Sequence, residues 1–272
     1  MNEKNIESLK KQVMYTGFGN LLDMDIDKNI KSGVPDFQLK YNHEFGRDKV
    51  EANLNFRRSE QDNYFFNSYE LQLNKEGSEP LKQLFYVNRP EQAIKKGEGE
   101  DHKGEWVNST ITLKEAYNLM EGRSVLKEFV SKESEKYANW VNIDFKEIDD
   151  KGNYQIKRRP DFDLEAKLAT LPIKELSDEK TRKELIDSLQ KGNRQSVTII
   201  NDGVEQKLFV EASPQFKTIN RYDGSLKLGA AQRETNDQSA KQDQKEGQKA
   251  GKDDEVHRNS QRRSSRKSHG IS

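Results

Sequence analysis

The sequence predicts an α+β fold of repeated helix-strand-strand units with antiparallel sheets, plus a disordered C-terminal tail. Three observations carry this. Apolar residues change along the chain from three- or four-residue spacing to two-residue spacing and back. Two segments share an ordered set of features, with Phe-Lys-x-Ile recurring 71 residues apart. The stretch 230–272 has no aromatic residue, and its only apolar side chains are four alanines, Val256 and Ile271. Such a segment buries too little apolar area to offset the entropy of ordering.

Residues 3–31 read as helical, with Ile6, Leu9, Val13, Leu21, Leu22, Ile26 and Ile30 at helical spacing. Gly17 and Gly19 break the pattern, and Gly33 with Pro35 ends it. Phe37, Leu39 and Tyr41 then alternate with polar residues, as do Val50, Ala52, Leu54 and Phe56, around a turn at 45–48. YFFNSYELQL (64–73) reads as a third strand, with Phe65, Tyr69, Leu71 and Leu73 on one face around Asn67. LFYV (84–87) reads as a fourth. Residues 1–88 form an N-terminal domain of two helices on an antiparallel sheet. Aromatic residues on both sides of YFFNSY fit a strand buried on both faces; half-exposed, Tyr64 and Phe66 would form a partner-binding patch. Residues 89–104, rich in glycine and charge, read as a linker or loop.

Residues 105–229 read as a duplicated αββ domain, with units at about 110–152 and 176–226. Thr112 with Glu115 makes a capping box, and Ser177 caps the second helix. Ala116, Leu119 and Met120 form one apolar stripe, and Leu185, Ile186 and Leu189 the other. Gly122 and Gly192 stand where a left-handed helix stop belongs. Strands opening Ser-Val follow, and Asn201-Asp202-Gly203 is a type I′ hairpin signal. The second strands share Phe145-Lys146-x-Ile148 and Phe216-Lys217-x-Ile219. Two such units side by side predict one four-stranded sheet with both helices on one face. Residues 154–172 cross between them, with a short helix over 162–169.

Phrases such as ITLKEAYNLMEGRSV, YANWVNIDF, DFDLEAKLATLPIKEL, SLQKGNRQSVT and FVEASPQFKTINRYDG are similar to a family of domains of unknown function in Bacteroides-type bacteria. That family occurs in conjugative transposons and other mobile elements. The resemblance covers roughly residues 3–228 and excludes the tail. It implies a cytoplasmic accessory protein of a mobile or horizontally acquired locus, and it supplies no catalytic residue. KRRP (157–160) stands where the family pattern has an aromatic- and histidine-containing stretch.

Composition limits the chemistry. The 272 residues hold no cysteine, which removes disulfides, thiolate metal sites and cysteine nucleophiles. No window approaches the roughly 18 apolar residues of a membrane span. The first residues have no apolar signal region, which points to the cytoplasm. His43, His102, His257 and His269 have no ligand-like partner nearby in sequence, so no metal and no cofactor are expected. No phosphate-cradling loop or nucleophile elbow is found, and Asp149, Asp150, Asp161 and Asp163 read as turn and cap residues.

The 47 basic and 47 acidic residues cancel, but unevenly. The tail has ten basic and seven acidic side chains, leaving residues 1–229 at −3. Its basic tip is Arg258, Arg262, Arg263, Arg266 and Lys267. These residues, with Lys146 and Lys217 and the Lys157, Arg158 and Arg159 stretch, are the candidate nucleic-acid contacts. The lysines read equally as an ordinary solvated strand face. The expected function is a non-enzymatic accessory protein that binds a protein partner, with exposed sheet edges open to strand addition. The alternative is a nucleic-acid-binding accessory using the tail and Lys157–Arg159.

Overall fold

A computed structural model describes residues 3–87, 91–93 and 105–225, which form an α+β fold with antiparallel sheets. The tail, with Arg258, Arg262, Arg263, Arg266 and Lys267, lies outside the described residues. Helix α1 (Glu3–Val13) buries Leu9 and Val13, then widens into a π turn over Met14–Phe18. Gly17 ends the turn at φ +101°, where a Cβ would lie 3.3 Å from the Cβ of Leu113. The break therefore serves close packing as well as backbone freedom. Helix α2 (Asp23–Lys31) buries Ile26 and Ile30 one turn apart.

Strands β1 (Asp36–Phe45), β2 (Asp48–Arg58), β3 (Tyr64–Asn74) and β4 (Leu81–Tyr86) form a meander in the order β1-β2-β3-β4. Alternation places Phe37, Leu39, Val50, Ala52, Leu54 and Phe56 inside. On β3 the inward set differs from the sequence reading. Phe56 pairs with Phe66 but Asn55 with Ser68, so Asn67 is an unpaired bulge residue. The bulge changes which parity faces inward. Tyr64 and Phe66 are buried before it, and Tyr69, Leu71 and Leu73 after it, while Phe65 is only half-buried.

Two short strands, β5 (Glu91–Ala93) and β6 (Glu105–Val107), pair antiparallel, so residues 91–93 are strand where a linker was expected. The rest of the expected 89–104 linker lies outside the described residues.

Each later unit is a helix followed by three strands, not two. The first comprises α3 (Leu113–Met120), β7 (Val125–Val130), β8 (Lys136–Ile148) and β9 (Tyr154–Arg159). After α4 (Leu164–Leu168) and a 3₁₀ turn (Lys174–Ser177), the second comprises α5 (Glu179–Gln190), β10 (Gln195–Asn201), β11 (Val204–Ser213) and β12 (Thr218–Tyr222). They make two separate three-stranded sheets, β7-β8-β9 and β10-β11-β12, in place of the expected four-stranded one. Pro214, which has no N–H for a ladder, starts a 3₁₀ turn over Pro214–Phe216 and divides β11 from β12.

The helix stops match closely. Gly122 and Gly192 have φ of +78° and +76°. Their N–H groups donate to Leu119 and Leu189, and the next N–H groups, of Arg123 and Asn193, donate to Asn118 and Ser188. These are paired Schellman stops. The capping box of Thr112 and Glu115 is present, but α5 is capped by Asp178, which accepts from the Thr181 N–H at 2.9 Å, and not by Ser177. Asp202 and Gly203 both have positive φ, as the I′ hairpin requires.

Two cores result. The first joins Phe18, Leu54, Tyr69 and Phe85 to Leu113, Leu119, Val141 and Ile143, so the boundary expected at residue 88 does not divide it. The second holds Trp140, Phe162, Leu168, Leu189, Val197 and Val210. Strand β8 lies between them: Val141 and Ile143 point to the first core and Trp140 to the second. A side chain joins β4 to β9. The buried Gln83 accepts from the Tyr154 N–H at 2.9 Å and donates to the Tyr154 carbonyl at 3.2 Å.

Candidate interaction groove

Asp163 starts α4 by accepting from the Ala166 N–H at 2.9 Å, and Leu164 and Leu168, one turn apart, anchor it in the second core. The chain then turns through Pro172 and Lys174–Ser177 into α5. On α5, Leu185 and Leu189 take the buried i, i+4 positions, which leaves Ile186 half-buried at the helix flank. The walls enclose a groove of about 600 Å³, with Leu168, Leu171, Ile173, Leu176 and Ile186 in its lining. Glu165 and Arg182 line it as well, and both also line a neighbouring depression of about 420 Å³ on the α5 side.

The charges here are unequal in availability. Lys183 is matched by Asp187 at 2.5 Å. The Arg182 and Glu165 side chains have no hydrogen bond or ion pair among the described residues. Backbone N–H donation from Thr181 holds the Asp178 carboxyl below the ordinary aspartate value.

The β10 edge beside the groove is already occupied. Ile200 N–H donates to the Pro172 carbonyl at 2.9 Å, and Thr198 N–H to the Glu175 carboxylate at 2.9 and 3.0 Å. Lys174, raised above its ordinary value by its hydrogen bond to Glu205, ties the same turn to β11 at 2.7 Å. At this edge the expectation of an open strand is corrected.

The sequence-predicted residues lie elsewhere. Tyr64 and Phe66 are not a surface patch: they are 4% and 2% exposed. The Tyr64 hydroxyl donates to the Val34 carbonyl at 2.8 Å, and Phe66 stacks on Phe56 at 5.2 Å. Lys157 contacts Asp144 at 2.7 Å and Glu147 at 2.8 Å. The hydrogen bond to Asp144 raises Lys157 and lowers Asp144. Arg158 donates to the Tyr137 hydroxyl at 2.9 Å and covers the Phe129 ring at 4.2 Å. Arg159 donates to Asn142 at 3.1 Å. The basic stretch is thus engaged within its own sheet.

Lys146 is exposed on β8 beside Asp144, whose side chain accepts its backbone N–H at 3.0 Å. Lys217 is not on a strand; it follows the Pro214–Phe216 turn with φ +51°. The two lysines therefore do not occupy equivalent positions. Asp149 accepts turn N–H groups from Lys151 and Asn153, and Asp163 is a helix cap.

A further polar cluster was not signalled by any motif. Glu211, 7% exposed, accepts from Arg194 at 3.1 and 3.2 Å, from Asn220 at 3.0 Å and from the Tyr222 hydroxyl. Burial, then the Glu211 charge, pushes the Tyr222 phenol up to about 12. Both carboxylate oxygens are committed to these donors, which suits a structural role. Among the described residues no three His, Cys, Asp or Glu side chains are grouped to hold a metal, and no helix is long and apolar enough to cross a membrane. No family model, no curated protein and no solved structure matches this chain.

Proposed function

We propose that this is a non-enzymatic accessory protein that binds a protein partner through its α+β body, in the cytoplasm and in the service of a mobile or conjugative element. The resemblance noted in the sequence motivates the cellular setting. The binding reading rests on the α4–α5 groove, where apolar side chains and unpaired charges share one concave surface. Interfaces concentrate their energy in such partly buried apolar anchors ringed by polar groups. The alternative, nucleic-acid binding, loses support from the internal pairing of Lys157, Arg158 and Arg159.

The test is a quantitative pull-down from the native host with wild-type protein and Ile186→Asp. A charge at the half-buried groove wall should reduce recovery of the specific partner by about tenfold. Identical captured sets from the two baits would refute the reading. So would duplex-DNA binding at low salt that disappears with residues 256–272 while no protein is retained.

A further inference from the structure

Three features of the groove define what can enter it. The first is the state of the adjoining edge, where the Thr198 and Ile200 N–H groups of β10 already donate to Glu175 and Pro172. Strand addition needs unpaired backbone donors and acceptors, whereas a helix satisfies its own and docks through side chains. The second is the apolar lining at Leu171, Leu176 and Ile186, each half-buried and so able to accept further contact. The third is a pair of charges of opposite sign without a side-chain partner among the described residues, Arg182 on α5 and Glu165 on α4.

We infer that the groove receives an amphipathic helix of the protein partner, apolar side chains against Leu171, Leu176 and Ile186, with an acidic residue on one flank meeting Arg182. This rests on the interaction reading above and specifies its mode. Glu165 borders the same rim as Arg182, where both also line the neighbouring depression, so a basic residue adjoining the acidic one on the helix would meet it. An all-acidic or all-basic helix would leave one of the two charges opposed.

The test uses three labelled peptides with the full chain, read by fluorescence anisotropy at low salt. One is a side-chain-stapled helix with leucines at i, i+3, i+4 and i+7 and a flanking glutamate. The second has lysine in place of that glutamate. The third keeps the first composition but carries two prolines that prevent a helix. Wild-type protein should bind the glutamate peptide about fivefold more tightly than the lysine peptide. Arg182→Glu should reverse that order, and the proline peptide should bind about tenfold more weakly than its helical counterpart.

Equal affinity for the two charged helices, a preference unchanged in Arg182→Glu, or undiminished binding of the proline peptide would overturn the inference. The Arg182 side chain is exposed and has no partner among the described residues, so its replacement should leave the far-UV circular dichroism unchanged. If Arg182→Glu does not fold, Arg182→Gln must abolish the charge preference. Should the peptides fail while Ile186→Asp still loses a captured partner, the helical mode falls and the interaction reading stands.

Discussion

Replacing Gly192 by alanine tests how the two repeated units are joined. An added Cβ would lie 2.8 Å from the Ser124 carbonyl oxygen and 3.1 Å from both the Asn118 Cβ and the Val125 Cγ2. Gly122 is the internal control: it has nearly the same φ, yet its Cβ would meet only the Phe145 ring, at 3.9 Å. Left-handed backbone costs an L-residue about 1–2 kcal/mol, and loss of unfolded-state freedom returns about 0.4–1 kcal/mol. Gly122→Ala should therefore cost about 0–1.6 kcal/mol. Gly192→Ala adds an overlap with backbone that cannot rotate away, worth about 1–3 kcal/mol. Its total should be about 1–5 kcal/mol. Urea unfolding followed by far-UV circular dichroism measures both. Equal losses for the two variants would refute the claim that Gly192 is set by packing between units.

Asn118→Ala should destabilise by about 3 kcal/mol in the same assay, because the buried Asn118 amide donates to the Lys191 carbonyl and to Asn193 and accepts from Arg123. The Asp144–Lys157 pair gives a pH signature. Asp144 is depressed, so its contribution is present above the ordinary aspartate value and is lost as pH falls through the folded value. Lys157 is raised, so its share persists at neutral pH and is lost only as pH rises through its elevated value. The Tm advantage of wild type over Lys157→Met should thus shrink below pH 4 (about the ordinary aspartate value), and a constant difference would count against the pairing. Glu175→Ala should accelerate amide exchange at Thr198 and promote self-association seen by sedimentation, since it bares the β10 edge. Unchanged exchange would show that the carboxylate does not guard that edge.

The first sheet was legible because one face is buried, and period-two alternation then follows directly from the pleat. It misled only at Asn67, where a bulge moved Phe66 inward in place of Phe65. Strand β9 was hidden because YQIKRR has little apolar signal; partners such as Asp144 and Tyr137 lie far off in sequence. The helix stops at Gly122 and Gly192 were readable from local chemistry, whereas Ser177 and Asp178 are adjacent, equally suitable caps that sequence cannot rank. The groove had almost no signature. Leu171, Ile173 and Leu176 lie in an irregular turn without a period. Ile186 reads as a member of the same stripe as Leu185 and Leu189, and only the packing separates it from them at the helix flank.

The glycine- and charge-rich stretch that follows residue 88 is not the place where the protein can be divided. Phe18 and Tyr69 share their core with Leu113 and Leu119, and the Tyr69 hydroxyl donates to the Ile111 carbonyl at 2.7 Å. A piece comprising residues 1–88 would carry an uncovered oily surface into water. Cutting after β9 keeps that surface covered but strips Trp140 of Phe162, its lid. Covalent order and material order thus disagree, and any attempt to produce half of this molecule must provide a substitute for whichever surface it lays bare.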